Sequence, residues 1–340
     1  MRYKRLGPSG LRVSELCLGT MTFGTAWGWG GDLDACRAMF DAFVAAGGNF
    51  IDTANKYTDG ESERIVGELI GPDRDRFVVG TKYTLATRDD DLNAAGNHKK
   101  NLRRAVESSL KRLATDYVDL LWVHAWDFTV QPQELMRALD DVVRQGKVLH
   151  VAVSDTPAWV VARCNTVAEL RGQTPFTAVQ MEYSLIERTG ERELTPMATA
   201  LDLPVLAWAP LGGGLLTGKY TTAERDGTAV DAARANNYRV TERNLAIARA
   251  VDAVAEATGK PATQVALNWV RAHGAIPIVG ARTAAQLQES LGAVDWTLAA
   301  EHLETLDTAS GIKLGFPHDF LSWGYVANQV LGPQRKRLDR

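Results

Sequence analysis

Short runs of Val, Ile, Leu and aromatic residues alternate along the chain with longer stretches whose apolar positions recur at helical spacing. The runs that predict strands are Ser14–Thr20, Asn49–Thr53, Phe77–Lys82, Asp119–His124, Val148–Ser154, Thr177–Tyr183, Pro204–Pro210 and Ala275–Ala281. Between them lie amphipathic segments. In Ala35–Gly47, the residues Met39, Phe40, Phe43 and Val44 fall on one helical face. Gln131–Gly146 opens with Pro132 in its first turn and closes on Gly146 as a cap, and Thr156-Pro157 starts a further helix in the same way. Strands that are apolar throughout, each followed by a helix, predict a parallel sheet covered on its outer face. Eight such units close most naturally into a (β/α)8 TIM barrel. The rival is an open doubly wound sheet, which carries G-x-G-x-x-G after an early strand to hold a dinucleotide. That pattern is absent: Gly28-Trp29-Gly30-Gly31 lacks the third glycine and the helix start.

Two segments stand outside the repeat. Arg2–Leu11, with a Gly-Pro-Ser-Gly turn between short polar and apolar stretches, predicts an N-terminal hairpin closing the bottom of the barrel. The C-terminal segment, 311–340, has no clear period, carries Phe316, Phe320, Trp323 and Tyr325, and ends in a polar tail over 334–340 expected to fray. The 340 residues fit one barrel domain with its core over about 14–292.

Composition narrows the partners. Apolar residues make up 45% of the chain and charged residues 23%, the balance of a soluble protein with a large core. A net charge of −3 without a run of Lys or Arg argues against nucleic acid or an anionic membrane. Met1–Arg5 leads into Gly-Pro rather than an apolar stretch, so no signal peptide is expected. No apolar run approaches the ~20 residues of a membrane span. Cys17, Cys36 and Cys164 are scattered and read as buried, inert thiols in a reducing cytoplasm. The six histidines show no metal-ligand spacing, so no metal is expected.

In a barrel the active site lies at the C-terminal mouth, so polar residues that end apolar strands are the ones to follow. Asp52, Lys82, His124 and Ser154 end the second to fifth strands, Gln180 lies near the end of the sixth, and Tyr57 follows Asp52 in a loop over the mouth. A Tyr hydroxyl, with an unperturbed pKa of about 10, is a poor acid at neutral pH. A lysine ammonium ~4 Å away favours the phenolate by about 4 kcal/mol at an effective dielectric of ~20, or roughly three pKa units. This predicts a Tyr57 hydroxyl brought near the working pH, with Asp52 holding Lys82 charged and His124 orienting a carbonyl oxygen. No nucleophilic Ser or Cys accompanies the set, so the attacking species is expected to be a hydride from a nicotinamide.

These residues sit in motifs that resemble the signature of the aldo-keto reductases: Asn49-Phe-Ile-Asp-Thr-Ala-Asn-Lys-Tyr57 with Gly60-Glu-Ser-Glu63 and Gly67, Gly80-Thr-Lys82, Ser109 to Leu120 with His124 following, and Pro210-Leu-Gly-Gly-Gly-Leu-Leu-Thr-Gly-Lys-Tyr220. The resemblance runs from residue 3 to about 310 and is closest to the branch of bacterial aryl-alcohol-dehydrogenase-like and general stress reductases. It implies a tetrad of Asp52, Tyr57, Lys82 and His124, and NADPH held extended across the barrel mouth. It also implies that Ser154, Asp155 and Gln180 hold the nicotinamide carboxamide, with Asp155 departing from the usual Asn. Trp208 stands where many members stack a Tyr on the nicotinamide ring, and Pro210, Leu211, Gly213 and Lys219 belong to a loop expected to fold over the pyrophosphate. Gly280, Arg282, Gln286 and Ser290 map onto the site of the 2′-phosphate and adenosine. There Ile278 replaces a Lys of some branches, and Ser290 replaces a common Asn. A turn, a helix start near Thr283 and an arginine are in physical terms a phosphate site, and the interval 276–287 holds no acidic residue.

Two other readings compete with this one. Gly213-x4-Gly218-Lys219 is one residue short of a P-loop, because Tyr220 replaces the hydroxyl that would bind Mg2+. Some members of the resembled family are channel subunits that sense bound nucleotide, which keeps a binding protein with slow turnover as the alternative. On the substrate side Phe23, Trp27 and Trp126 are the first candidates, joined by Trp29, Phe128, Trp208 and the tail residues Phe316, Phe320 and Trp323. Together they predict an aromatic-tolerant pocket for aldehydes or ketones.

Overall fold

The computed structural model describes residues 1–228, 237–332 and 334–338. Of the expected fraying tail, residues 339–340 lie outside the described residues, and Arg335–Arg337 forms one helical turn. Eight parallel strands close a barrel: β3 (Cys17–Gly19), β4 (Phe50–Asp52), β5 (Val78–Tyr83), β6 (Val118–Val123), β7 (Val148–Ser154), β8 (Phe176–Glu182), β9 (Val205–Trp208) and β10 (Ile276–Val279). They follow one another around the barrel in chain order, and β10 closes it by pairing with β3. This is the (β/α)8 architecture that the eight apolar runs predict.

The first of those runs is not one strand. Its beginning, Arg12–Ser14 (β2), pairs antiparallel with Tyr3–Arg5 (β1), and only Cys17–Gly19 enters the barrel. The break at Glu15-Leu16 is fixed by polar contacts: Glu15 pairs with Arg271 at 2.7 Å, and the Ser14 hydroxyl donates to Leu16 O. The β1–β2 hairpin plugs the barrel floor, since its Leu6 and Val13 are wholly buried in one cluster with Cys17, Phe50, Val78, Leu120, Trp122, Ala152, Ala178, Leu206 and Ile276. Alternate residues of the same strands, such as Ile51, Val79, Leu121, Val123 and Val153, pack outward against the helices in a second cluster.

Helix ends follow local chemistry. Asp32, Thr241 and Thr283 cap the starts of Leu33–Ala45, Glu242–Thr258 and Ala284–Leu291 with side-chain oxygens, and Pro132 occupies the first turn of Pro132–Arg144. The C-terminal segment, read as aperiodic, contains two short helices, His318–Ser322 and Gly324–Leu331. Among the described residues no helix is long and apolar enough to cross a membrane.

Candidate active site

The period of two along a strand delivers the site. On β4, Phe50 faces the barrel core and Asp52 comes two residues later; on β5, Val78 and Gly80 precede Lys82; on β6, Leu120 and Trp122 precede His124. The same step carries Ala152 to Ser154 on β7, Ala178 to Gln180 on β8, Leu206 to Trp208 on β9, and Ile276 and Ile278 to Gly280 after β10. Inward positions at the C-terminal ends of seven strands therefore converge on one mouth.

Tyr57 arrives differently, on a single turn, Tyr57–Gly60, after β4. Thr58 and Asp59 adopt left-handed angles, φ 45° and 52°, and Gly60 follows at 89°. Two non-glycine residues in that region cost of order 1–3 kcal/mol each, so the turn persists only because its surroundings hold it. The Thr58 hydroxyl donates to Phe23 O at 2.7 Å, and Ser62 N donates to Thr58 Oγ1. Asp59 accepts from Lys56 at 2.9 Å and from the Trp27 indole at 3.2 Å. Behind the turn, buried Glu63 accepts from Thr81 on β5 at 2.5 Å and from Arg112 at 2.6 Å, tying the helix Glu61–Ile70 to the barrel wall.

Lys82 is completely buried, and its ammonium has three hydrogens for three acceptors. It pairs with Asp52 Oδ2, donates to Thr53 O at 3.1 Å, and donates to Tyr57 Oη at 3.0 Å. With the lysine side of its oxygen occupied, Tyr57 has its own hydrogen left for the cleft. Burial by itself pushes the Lys82 ammonium toward neutrality, but the Asp52 charge and the contacts with Asp52 and Tyr57 together outweigh it and hold the amine protonated, well above its usual range. Tyr57 differs from the sequence-based expectation. Burial disfavours the phenolate more than Lys82 favours it, and the Asp52 charge cancels part of the lysine's pull, so the pKa moves up rather than toward neutrality. Tyr57 is thus a fully protonated hydroxyl at neutral pH.

His124 meets Tyr57 edge to face at 5.9 Å. Burial, helped by Lys82, lowers its pKa to about 3, so the ring is neutral. Its Nδ1 is buried without a hydrogen-bond partner among the described residues. An unpaired N–H there costs more than an unpaired lone pair, so the proton belongs on Nε2, the nitrogen left to the cleft. Gln180 donates its amide N–H to Asp52 Oδ1 at 3.0 Å. A carboxylate accepts only, so the amide oxygen of Gln180 faces away from Asp52.

One cleft of about 760 Å3 joins these groups to the opposite rim, a size in the range of small-molecule sites. Asp52, Tyr57 and His124 line it at one end; Gly280, Arg282, Gln286 and Ser290 line it at the other; and Ser154, Asp155, Gln180, Trp208, Pro210, Leu211, Gly213 and Lys219 lie between. Every cofactor-side residue singled out from the sequence borders this cleft. At the far end Thr283 caps the helix Ala284–Leu291, and Gln286 folds its side-chain oxygen back to the Arg282 backbone N–H at 3.0 Å.

A family model described as the aldo/keto reductase family matches residues 15–310. A norsolorinic acid reductase of Aspergillus flavus is 39% identical, over 92% of this chain and 82% of that protein. An aryl-alcohol dehydrogenase of Pestalotiopsis microspora is 37% identical, over 98% and 88%. An aldo-keto reductase of Aspergillus calidoustus is 35% identical, over 94% and 85%. The chain belongs to the aldo/keto reductase family. The family membership makes it an oxidoreductase; these three relatives are fungal, and none is named as a bacterial general stress reductase.

For this aldo/keto reductase several substrate-side expectations need correction. Trp27 does line the cleft, half-buried and held by Asp59. Phe23 does not: it is 1% exposed, locked in the core that backs the Tyr57 turn. Trp126 packs against the same core instead of bordering the cleft. Trp29 stacks obliquely on Trp27 at 5.7 Å, while Phe128, Phe316, Phe320 and Trp323 are exposed away from the cleft lining. The tail aromatics contact one another, Phe316–Phe320 at 6.1 Å and Phe320–Trp323 at 5.6 Å. Lys219, read as part of a loop, begins a short helix, Lys219–Asp226, after a glycine-rich turn over Gly212–Thr217. The cleft also holds residues that the sequence reading passed over: Met21, Lys56, Leu85, Thr217, Arg239, Thr263 and Glu289. Glu289 lies three residues beyond Gln286 on one helical face, a signal that was available. Arg239, paired with Glu182 at 2.5 Å, carried none.

Proposed function

We propose that this protein is an NADPH-dependent reductase of aldehydes and ketones, with aryl carbonyls as the preferred substrates. The observation that carries the reading is the saturation of Lys82, which leaves Tyr57 as a protonated donor at one end of a cleft whose other end offers Arg282 and a capped helix start. The fit to the cofactor is chemical. Hydroxyl, carboxylate and amide groups of Ser154, Asp155 and Gln180 line the cleft together with the indole of Trp208, the Ser154 hydroxyl buried. Lys219 and Arg282 follow along the cleft as cations for phosphates.

Bound there, a reduced nicotinamide would supply the hydride. Tyr57 gives its proton to the carbonyl oxygen as the carbon is attacked, and the Nε2–H of His124 orients that oxygen. Lys82 stabilises the tyrosinate left behind, and Asp52 keeps Lys82 charged and in place. Trp27, Leu85 and Met21 bound the side open to substrate. The names of the relatives, aryl-alcohol dehydrogenase among them, favour an aromatic substituent on the carbonyl. The three cysteines are unpaired and buried, and we read the enzyme as cytoplasmic. The test is steady-state oxidation of NADPH with a panel of aryl aldehydes, aryl ketones, aliphatic aldehydes and keto-sugars. Multiple turnovers with aryl carbonyls are expected; a single burst with every compound would instead make the protein a nucleotide sensor.

A further inference from the structure

Asp155 borders the cleft, and neither the proton transfer nor a bond to a carboxamide requires its charge. It follows Ser154 at the end of β7 in a left-handed conformation, φ 42°, with its N–H donated to Gln180 O at 3.2 Å and its carbonyl accepting from Trp126 N at 3.3 Å. The backbone is thus fixed from two sides, and the side chain is aimed across the cleft. There Asp155 Oδ1 accepts from the indole N–H of Trp208 at 3.0 Å, which sets the plane of that ring. An amide oxygen at the same point would accept that bond equally well, so orienting the indole does not call for a charge.

Burial raises the pKa of the Asp155 carboxyl group, opposed by hydrogen bonds from Trp208 and Ser154 and by the field of Lys82. Among the described residues no Lys or Arg forms an ion pair with Asp155. Lys82 is committed to Asp52, Thr53 O and Tyr57, and Arg239 is committed to Glu182. The carboxylate is close enough to the reacting corner for its field to act against ionisation of Tyr57. An anion held on the cleft wall without a cation of its own is suited to a ligand that brings one.

On the reading of the cleft given above, a reduced nicotinamide ring is neutral and an oxidised ring carries a positive charge. We propose that Asp155 is a specificity-determining residue that favours the oxidised, cationic form of the cofactor over the reduced form. In the overall exchange NADPH, a carbonyl and a proton become NADP+ and an alcohol: the hydride goes to the carbonyl carbon and the Tyr57 proton to its oxygen. Asp155 stabilises the side of that balance on which the ring is charged. It thereby biases the bound equilibrium toward carbonyl reduction and slows release of the spent cofactor.

The test is binding rather than turnover. Dissociation constants for NADP+ and NADPH are measured by isothermal titration calorimetry on the wild type, Asp155→Asn and Asp155→Ala. Asp155→Asn keeps an acceptor for Trp208 and removes only the charge. A carboxylate near a pyridinium in a partly screened cleft is worth about a factor of ten. Asp155→Asn should therefore weaken NADP+ by about that factor and NADPH by less than about twofold. Asp155→Ala should shift the ratio of the two constants equally, whatever it does to both through loss of the Trp208 contact, so either folded variant decides the matter. A ratio unchanged from wild type would overturn the proposal and leave Asp155 as a holder of Trp208. Failure of the wild type to bind either redox form would overturn the cofactor reading itself, and this inference with it.

Discussion

At the reacting corner, Lys82 and Asp52 have side chains 0% and 3% exposed, and every hydrogen of the lysine has a protein acceptor. At the opposite rim of the same cleft, Arg282, Gln286 and Glu289 stand in solvent on a turn and the first turns of one short helix. The corner is complete before any ligand arrives. Its geometry is fixed by strands, and removing one charge would strand the other in low dielectric. The rim is an exposed set of polar groups, the Arg282 guanidinium foremost, where each contact with a ligand is screened and partly replaceable by water. Rate should therefore depend steeply on the corner, and affinity should depend in modest, separable steps on the rim.

The largest effect should come from Lys82→Met. It removes the support of the Tyr57 oxygen and leaves Asp52 buried without its cation, so reduction should fall by at least about 10³-fold in an NADPH-oxidation assay, of the order lost with a general acid or more. Thermal unfolding should show a loss of about 3–5 kcal/mol, the usual consequence of breaking a buried pair. A variant near full activity would mean that the corner is not the reacting centre.

A smaller effect belongs to the rim. Arg282→Ala should raise the NADPH dissociation constant by about tenfold or more and leave NADH almost unchanged, because a charge-assisted bond to the 2′-phosphate is worth roughly 1.5–3 kcal/mol. Titration of both cofactors against both proteins checks it. Glu289, on the same helix and bordering the cleft, sharpens the question, since it is an acceptor that a phosphate must avoid. Equal losses for both cofactors would place Arg282 at the pyrophosphate or in the loop itself.

The smallest effect is an absence of change. On the proposed mechanism reduction needs Tyr57 protonated, and its pKa lies above the ordinary value, so activity should be retained as pH rises to about 9 and be lost only when the hydroxyl ionises beyond that. His124, with its pKa lowered to about 3, is neutral throughout. Between pH 6 and 9, kcat/KM should vary by less than about threefold. A fall centred near pH 7 would show the lysine overcoming burial, as charge proximity alone predicts.

The corner was legible in the sequence because its logic is periodic. Apolar runs give strands, polar residues end them, and a step of two from Phe50, Leu120 or Leu206 lands on Asp52, on Trp122 ahead of His124, or on Trp208. Burial of Tyr57 was not legible, because desolvation is set by walls contributed from distant segments, and its pKa consequently moved against the expectation. Aromatic residues misled for a related reason. Size and hydrophobicity do not say which way Phe23 or Trp126 points, and both serve the core rather than the cleft. The split of the first strand at Glu15 depends on Arg271, 256 residues away in the chain.

The role of Tyr57 as proton donor is tested most directly by Tyr57→Phe assayed two ways on one preparation. Quenching of tryptophan fluorescence by NADPH reports the cofactor, and loss of NADPH absorbance with an aryl aldehyde reports the reaction. The ring remains and only the hydroxyl goes, so NADPH affinity should stay within about twofold of wild type while kcat falls by about 10²–10⁴-fold. A fall of less than about tenfold with binding intact would contradict the assignment of Tyr57 and, with it, the role given to Lys82 and Asp52.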